Sequence, residues 1–351
     1  MLSNSEYSQG RGIRPVRVVA IGGGTGLSTL LKGLKRYTFT GTAPSRPHIS
    51  DLTAVVTVSD DGGSSGRLRR ELNMLPPGDV RNCLVALSED ENLLSKLFQH
   101  RFSSPGDLEG HSFGNLFLAA LTAMTGDFAA AVKKASEILA TRGHILPATS
   151  ANVELEAIMD DGSRVRGETS ISASEKRIVE LTMAPAHPEP LPQTLEAIAA
   201  ADIITIGPGS LFTSLITNLL VRGIPEAIAA SSAVKVFICN LMTEANESLK
   251  MSASDHIVAI YAHAGHGMFN YALVNSAPVS EEMKKRYQGE HAEPVECDCR
   301  MIEALGVNCI AGNFLEERDV VRHDTDRLCR ELLRLAQLAD ATSRAAHARI
   351  G

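Results

Sequence analysis

The sequence predicts an α/β fold: a doubly wound, mostly parallel sheet carrying a small β-rich insertion. Three observations predict it. Short β-branched runs alternate with helix-period segments along most of the 351 residues, as crossover-connected parallel strands require. Two of those runs break directly into glycine turns that open helices, at Gly22–Gly26 and Gly207–Ser210. Between about 145 and 190 the pattern turns to weak alternation around an Asp161-Gly162 hairpin signal.

In chain order, Val16 to Ile21 is an apolar run with Arg17 interposed, and Leu27, Leu30, Leu31 and Leu34 follow at helical spacing. A polar loop, Tyr37 to Ser50, delays the second strand, Leu52 to Val58. Its end, Ser59 to Gly66, precedes a helix beginning at Arg67. After Pro76-Pro77-Gly78, Asp79 is placed to cap a helix over 80–88. Helical segments follow over 91–102, from Leu116 and over 128–140. The insertion offers strands at 151–159, 165–168 and 177–183, and prolines 185, 188, 190 and 192 mark its exit. The α/β pattern resumes with strands at Asp202–Ile206, Val234–Cys239 and Tyr271–Asn275, and helices at 211–221, around 254–263 and through Lys284 and Tyr287. Short β signals stand near Val295 and Ile310, and a closing helix runs from Asp324 to Leu338. Residues 1–15 read as a disordered leader without the apolar core of a signal peptide. Residues 341–351 read as a flexible tail, leaving 16–340 as one domain.

Composition narrows the class. Hydrophobic residues at 44% and charged residues at 21% are those of a soluble globular protein. A net charge of −7 argues against a nucleic-acid binder. No apolar run approaches the roughly 20 residues of a bilayer span, so a cytoplasmic protein without a membrane partner is expected. The six cysteines include no C-x-x-C pair, and no histidine cluster completes a zinc set around Cys297 and Cys299, so reduced cysteines are expected.

The chemistry concentrates in loops. Gly22, Gly23, Gly24 and Gly26, with Thr25, place a strand end and a helix N-terminus together, which is a phosphate cradle or a packing turn. The spacing satisfies neither the G-x-G-x-x-G fingerprint nor a P-loop. Asp60 and Asp61 at a parallel strand's carboxyl end suit ribose hydroxyls or a hard cation such as Mg²⁺; the alternative is a turn cap. Ser64 and Ser65 add hydroxyls to a glycine-rich anion nest. Arg67 is the expected ligand contact of its helix, with Arg69 and Arg70 solvated. His111, Ser112 and Asn115 stand at another loop-to-helix transition. Gly110–Gly114 spells G-x-S-x-G, but the polar segment before it is not the strand that a nucleophile elbow needs, and Ser112 also suits an N-cap. Gly207, Gly209 and Ser210 repeat the strand-turn-helix device, and two such loops on one sheet suit a ligand with two anchored parts. Asn240 ends a strand and is placed to meet a ligand. His263 and His266 lack a third metal ligand. By spacing alone, Tyr287 and Arg322 are surface residues.

Taken together, GGGTGLSTLLKGLK, VTVSDDGGSSGRLR, PPGDVRN, GHSFGNL and ITIGPGSLFTSLITNLLV resemble the bacterial gluconeogenesis factor family (YvcK-like), related to the 2-phospho-L-lactate transferases. The resemblance spans roughly Arg17 to Leu338. It implies a Rossmann-like core and binding of UDP-sugars such as UDP-N-acetylglucosamine or UDP-glucose. It also implies regulation linking carbon metabolism to cell-wall precursor synthesis and cell shape, with glucosamine-6-phosphate synthase a partner of some members. By motif order the family's UDP-sugar-contacting tyrosine and arginine fall on Tyr287 and Arg322. A homo-oligomer is expected. After Asn240 the family pattern N-x-M-T-x-x-G-E-T is matched except that Asn246 and Ser248 replace the glycine and final threonine; Asn is the substitute that tolerates positive φ. Gly24-Thr25-Gly26-Leu27-Ser28 follows the regulator pattern rather than the transferase one, so no catalytic residue is carried over. The alternative is a Mg²⁺-dependent transferase in which Asp60 and Asp61 hold the metal and His111 is a general base.

Overall fold

The computed structural model describes residues 14–39, 47–89 and 93–347. The chain opens with β1 (Val16–Gly22), almost wholly buried, which turns at once into α1 (Gly24–Lys35). β2 (Ile49–Val56) leads to α2 (Gly63–Leu72) and α3 (Gly78–Leu87). A helical layer follows: α4 (Leu93–Gln99), α5 (Phe113–Thr125) and α6 (Phe128–Ile138), the last two capped by the side chains of Ser112 and Asp127. β3 (His144–Pro147) then precedes β4 (Glu154–Met159), β5 (Arg164–Arg166), α7 (Glu168–Ser172) and β6 (Ile178–Ala184). The strand β7 (Ile203–Ile206) comes after α8 (Pro192–Ala200) and before a π-helical turn, Leu211–Ile216, which continues as α9 (Thr217–Leu219). The remainder is α10 (Ile224–Ala230), β8 (Val234–Ile238), α11 (Ala253–Ala264), β9 (Tyr271–Asn275), α12 (Glu281–Gln288), α13 (Cys299–Ala304), β10 (Asn308–Gly312), the hairpin β11 (Leu315–Glu317) with β12 (Val321–His323), and α14 (Thr325–His347).

Seven strands form one sheet in the order β10-β9-β8-β7-β1-β2-β3, every pairing parallel. The sheet grows one way from β1 and the other way from β7. At such a reversal the crossovers leave on opposite faces, and a crevice opens outside the strands' carboxyl ends. The two glycine turns stand there because they follow β1 and β7. Both faces are covered: Val18 and Ala20 pack into the cluster with α1, α3 and α14, while Val19 and Ile21 pack into the one containing the π-helical turn and α11. That two-sided burial explains why the strands read as continuous apolar runs.

The insertion is a three-stranded antiparallel sheet, β5-β4-β6. It begins later than about 145, because His144–Pro147 belongs to the main sheet. α2 starts at Gly63, so Ser64 and Ser65 lie in its first turn rather than ahead of it. The β signal near Val295 forms no strand; a single bridge pairs Met242 with Pro294. The hairpin β11–β12 and the helices α7 and α8 carry no clear sequence signal. The last helix reaches His347, so the expected tail is helical up to that point, and 348–351 lie outside the described residues. So do leader residues 1–13, while Arg14 pairs with Asp202 and Asp340. Cys83, Cys239 and Cys329 are buried thiols, but Cys299 and Cys309 form a disulfide, against the expectation of reduced cysteines throughout. No single helix among the described residues is long and apolar enough to cross a membrane.

Candidate functional site

The two glycine loops touch. A Cβ on Gly26 would lie 2.4 Å from the Pro208 carbonyl oxygen, so the approach of the loops requires glycine at that position. Gly23, in extended backbone, is equally confined, since its Cβ would meet Thr57 and the Asp79 carboxylate. The second loop is held by Asn240, whose Oδ1 accepts from Gly209 N–H (3.1 Å) and whose Nδ2 donates to the Gly209 carbonyl (2.8 Å). The Asn240 amide expected to face a ligand is therefore committed to the loop.

A cavity of about 360 Å³ is lined by Gly23–Gly26, Pro208–Ser210 and Asn240, together with Tyr287, Arg322 and His323. Its size lies in the range of small-molecule sites. Gly22 and Gly207 stand behind the lining and shape the turns. Tyr287 Oη accepts from Val321 N–H (3.1 Å), which fixes α12 to the β12 hairpin. Arg322 pairs with Glu316 through its backbone, while its guanidinium is exposed and has no hydrogen-bond partner among the described residues. His323 Nε2 lies 3.0 Å from the Cys239 carbonyl, and burial pushes its pKa down to about 4, so the neutral ring donates through Nε2. Glu244, also on the lining, is pushed above the usual carboxylate range by desolvation and by Glu247, with Ser210 opposing. Buried Glu247 accepts from Phe212 N–H (2.9 Å), Thr213 N–H (3.2 Å) and the Thr213 hydroxyl (2.6 Å), closing the start of the π-helical turn.

A second cavity, about 260 Å³, adjoins the α2 and α3 N-termini and includes Asp60, Ser64, Ser65, Asp79, Arg81 and Asn115 in its lining. Asp60 Oδ1 accepts from Gly62 N–H (2.9 Å), the turn-forming role, while its residue still borders the cavity. Asn115 Nδ2 donates to Ser64 (3.1 Å) and Ser65 (3.4 Å). Buried Arg81 donates to Ser112 Oγ (2.7 Å) and Asn115 Oδ1 (3.1 Å). Asp79 does not cap α3, because Pro77 occupies the cap position. Its carboxylate accepts from Gly24 N–H instead, and desolvation, with Asp60 adding repulsion, raises its pKa to about 6. Asp79 thus links the second cavity to the first glycine loop. Glu168, from α7, accepts from the Ser59 hydroxyl (2.6 Å). Desolvation first, then Asp79 and Asp60, hold it well above the usual carboxylate range. Neither residue is legible as a site residue from its neighbours in sequence.

Three expected residues are engaged elsewhere. Asp61 Oδ1 accepts from Thr169 N–H (2.8 Å) and the Thr169 hydroxyl (2.6 Å), which pins the insertion to the loop. Arg67 donates to the carbonyls of Asp107 (2.7 Å) and Glu109 (2.5 Å). His111 is buried with Nδ1 3.0 Å from Ser64 Oγ, and burial followed by the Arg67 charge lowers its pKa. None of the three lines either cavity. Arg69 is not solvated either; it donates to the Ser59 and Val153 carbonyls. Ser112 is the N-cap of α5, accepting from Asn115 N–H. His263 Nε2 accepts from Leu181 N–H (3.0 Å), a packing role. Asn246 stays out of the left-handed region and donates to the Ser172 carbonyl.

Residues 18–315 match the family model described as 2-phospho-L-lactate transferase CofD. The gluconeogenesis factor of Halalkalibacterium halodurans is 50% identical over 317 residues, 90% of this chain and 95% of that protein. That of Bacillus subtilis is 47% identical over 320 residues, 91% of this chain and 98% of its own length. A crystal structure of a UPF0052 family member from Bacillus halodurans superposes with a TM-score of 0.86 at 49% identity, covering 92% of this chain and all of that one. A parallel sheet with its switch point between two touching glycine loops, and likeness of this extent, lead to one conclusion: the chain belongs to the CofD family, among its gluconeogenesis factors.

Proposed function

We propose that the chain is a regulatory protein that binds a UDP-sugar, UDP-N-acetylglucosamine or UDP-glucose, in the larger cavity. One juxtaposition carries the reading. The loops after β1 and β7 meet at the switch point and share a cavity with the unpaired guanidinium of Arg322 and with Tyr287. A diphosphate there gains the α1 N-terminus and a guanidinium, both of which favour anions. Tyr287 offers a ring face for uracil or sugar. The relatives' name, gluconeogenesis factor, supports a role in carbon metabolism; the connection to cell-wall precursors and cell shape, acting on glucosamine-6-phosphate synthase, is part of the same proposal. Regulation is favoured over transfer because His111 and Asp61, two of the three residues that the transferase mechanism would recruit with Asp60, are both tied into the fold. Calorimetry with UDP-N-acetylglucosamine tests the reading, and absence of heat at millimolar ligand overturns it.

A transferase reading retains one supporting observation: Asp60 and Asp79 border the second cavity together. Their oxygens are the hard donors that Mg²⁺ takes, and the ion would supply charge neutralisation for a phosphoryl group. Incubation with a deazaflavin acceptor and an activated phospholactate or phosphoenolpyruvate donor separates the two. Metal-dependent product supports transfer; inertness of a chain that binds UDP-sugar supports regulation.

A further inference from the structure

Three sulfur atoms converge near the β10 edge of the sheet, outside both cavities. Cys297 precedes α13, Cys299 is its first residue, and Cys309 lies on edge strand β10. All three sulfurs lie within 4.8 Å of one another, and each residue is only partly buried. Cys299 and Cys309 are bonded, with Cα atoms 5.3 Å apart, and Cys297 Sγ stands 3.6 Å from Cys299 Sγ.

A structural disulfide has no use for a third thiol at that distance. A soft cation does. Thiolates bound tetrahedrally to zinc at about 2.3 Å stand about 3.8 Å from each other, close to the 3.6 Å separating Cys297 from Cys299. We propose that Cys297, Cys299 and Cys309, with the disulfide reduced, form a binding site for one thiophilic d¹⁰ cation of the zinc type. Reduction by a dithiol transfers two electrons and two protons, leaving the reductant as a disulfide and the chain with two new thiols. Binding then forms three sulfur–metal bonds and releases three protons.

Asp298, between the first two cysteines, does not supply the fourth ligand. Its carboxylate already accepts from Ser252 Oγ (2.8 Å), Ser254 N–H (2.9 Å) and Ser254 Oγ (2.5 Å). The fourth position is left to water or an exogenous ligand. The same segment continues into the larger cavity: Ala292 is on its lining, Val295 N–H donates to the Leu241 carbonyl (3.1 Å), and the Glu296 carbonyl accepts from Ala253 N–H (3.0 Å). A cation at the three sulfurs would tie this segment to the sheet edge.

The test uses the full chain, reduced with a phosphine under anaerobic conditions, and titrated with Co²⁺ alone and then Zn²⁺. One Co²⁺ per chain is expected, with the visible bands of a tetrahedral thiolate complex, bleached by Zn²⁺. The bands should vanish in Cys297→Ser, whose fold is checked by circular dichroism. A second measurement needs no variant: Zn²⁺ should slow alkylation of Cys297, Cys299 and Cys309 in the reduced wild-type chain, read by peptide mass. Absence of thiolate bands in the reduced chain, bands unchanged in Cys297→Ser, or alkylation of these three indifferent to Zn²⁺ overturns the proposal.

Discussion

Replacing Asp79 with asparagine measures how strongly the fold resists the charge it keeps beside the first glycine loop. Desolvation, with repulsion from Asp60, raises this carboxyl from 3.8 to about 6, against the Gly24 N–H bond and the Arg81 charge. The folded chain therefore holds the proton more tightly than the unfolded one. Its contribution to stability is complete below the unfolded value near 4, falls as pH rises through about 6, and is level above that. The whole shift corresponds to about 3 kcal/mol. An asparagine oxygen can still accept from Gly24 N–H but carries no charge. Asp79→Asn should match wild type near pH 4 and exceed it by about 2–3 kcal/mol at neutral pH. Urea unfolding of both proteins across that range reads the difference directly. Parallel stability curves, with no divergence between acid and neutral pH, would refute the reasoning. A stabilising variant at a cavity wall would also mark Asp79 as kept for something other than stability.

Gly26→Ala puts a Cβ against the Pro208 carbonyl, so the loops must part or strain; a loss of about 1–3 kcal/mol is expected by thermal melt, together with weakened UDP-N-acetylglucosamine binding. Arg322→Ala should leave the melting temperature unchanged, since the side chain is exposed and unpaired. Calorimetry should show UDP-N-acetylglucosamine affinity falling by about tenfold or more, because a charge-assisted phosphate bond is worth about 1.5–3 kcal/mol. His323→Gln has the opposite pH signature to Asp79→Asn. Burial lowers the imidazole from 6.5 to about 4, so the wild type loses stability as pH falls through that window. The variant should be spared up to about 3 kcal/mol of that acid loss in urea melts.

The fold was legible because its signals are local. β-branched runs such as Val16–Ile21 and Ile203–Ile206 mark buried parallel strands, and the glycine turns after them mark the crevice. The candidate site was most legible where a residue contributes through its own backbone turn, as Gly23–Gly26 and Gly209 do, and Asp60, Ser64, Ser65 and Asn115 also border a cavity. Side chains were read less well. Asp61 and Arg67 have the composition of ligand contacts but are claimed by Thr169 and by the loop carbonyls at 107 and 109. Those partners lie 40 or more residues away, and nothing in the local pattern discloses them. Asp79 reads as a helix cap from its position after Pro-Pro-Gly, yet Pro77 takes the cap position and the carboxylate turns to Gly24. Glu168 and Glu247 reach the same region from an insertion helix and from a loop after β8, contributions that only tertiary structure reveals.

Those distant acids set up one more consequence. Around the switch point the fold gathers Asp79, Glu168, Glu244 and Glu247, all raised in pKa chiefly by desolvation. A UDP-sugar bound as proposed would bring a diphosphate with further negative charge into the same region, against the cations Arg322, Arg81 and Arg101 of the two cavity linings. Protons relieve the acids below neutral pH; a divalent cation would relieve them and the diphosphate together. UDP-N-acetylglucosamine affinity is therefore expected to rise with Mg²⁺ at about pH 8 and to depend less on it at about pH 6, where Asp79 is half protonated. Calorimetry at the two pH values, with Mg²⁺ and with chelator, tests this. Equal affinity in all four conditions would mean that the acids act apart from the ligand, and that their raised pKa values belong to the folding of the loops alone.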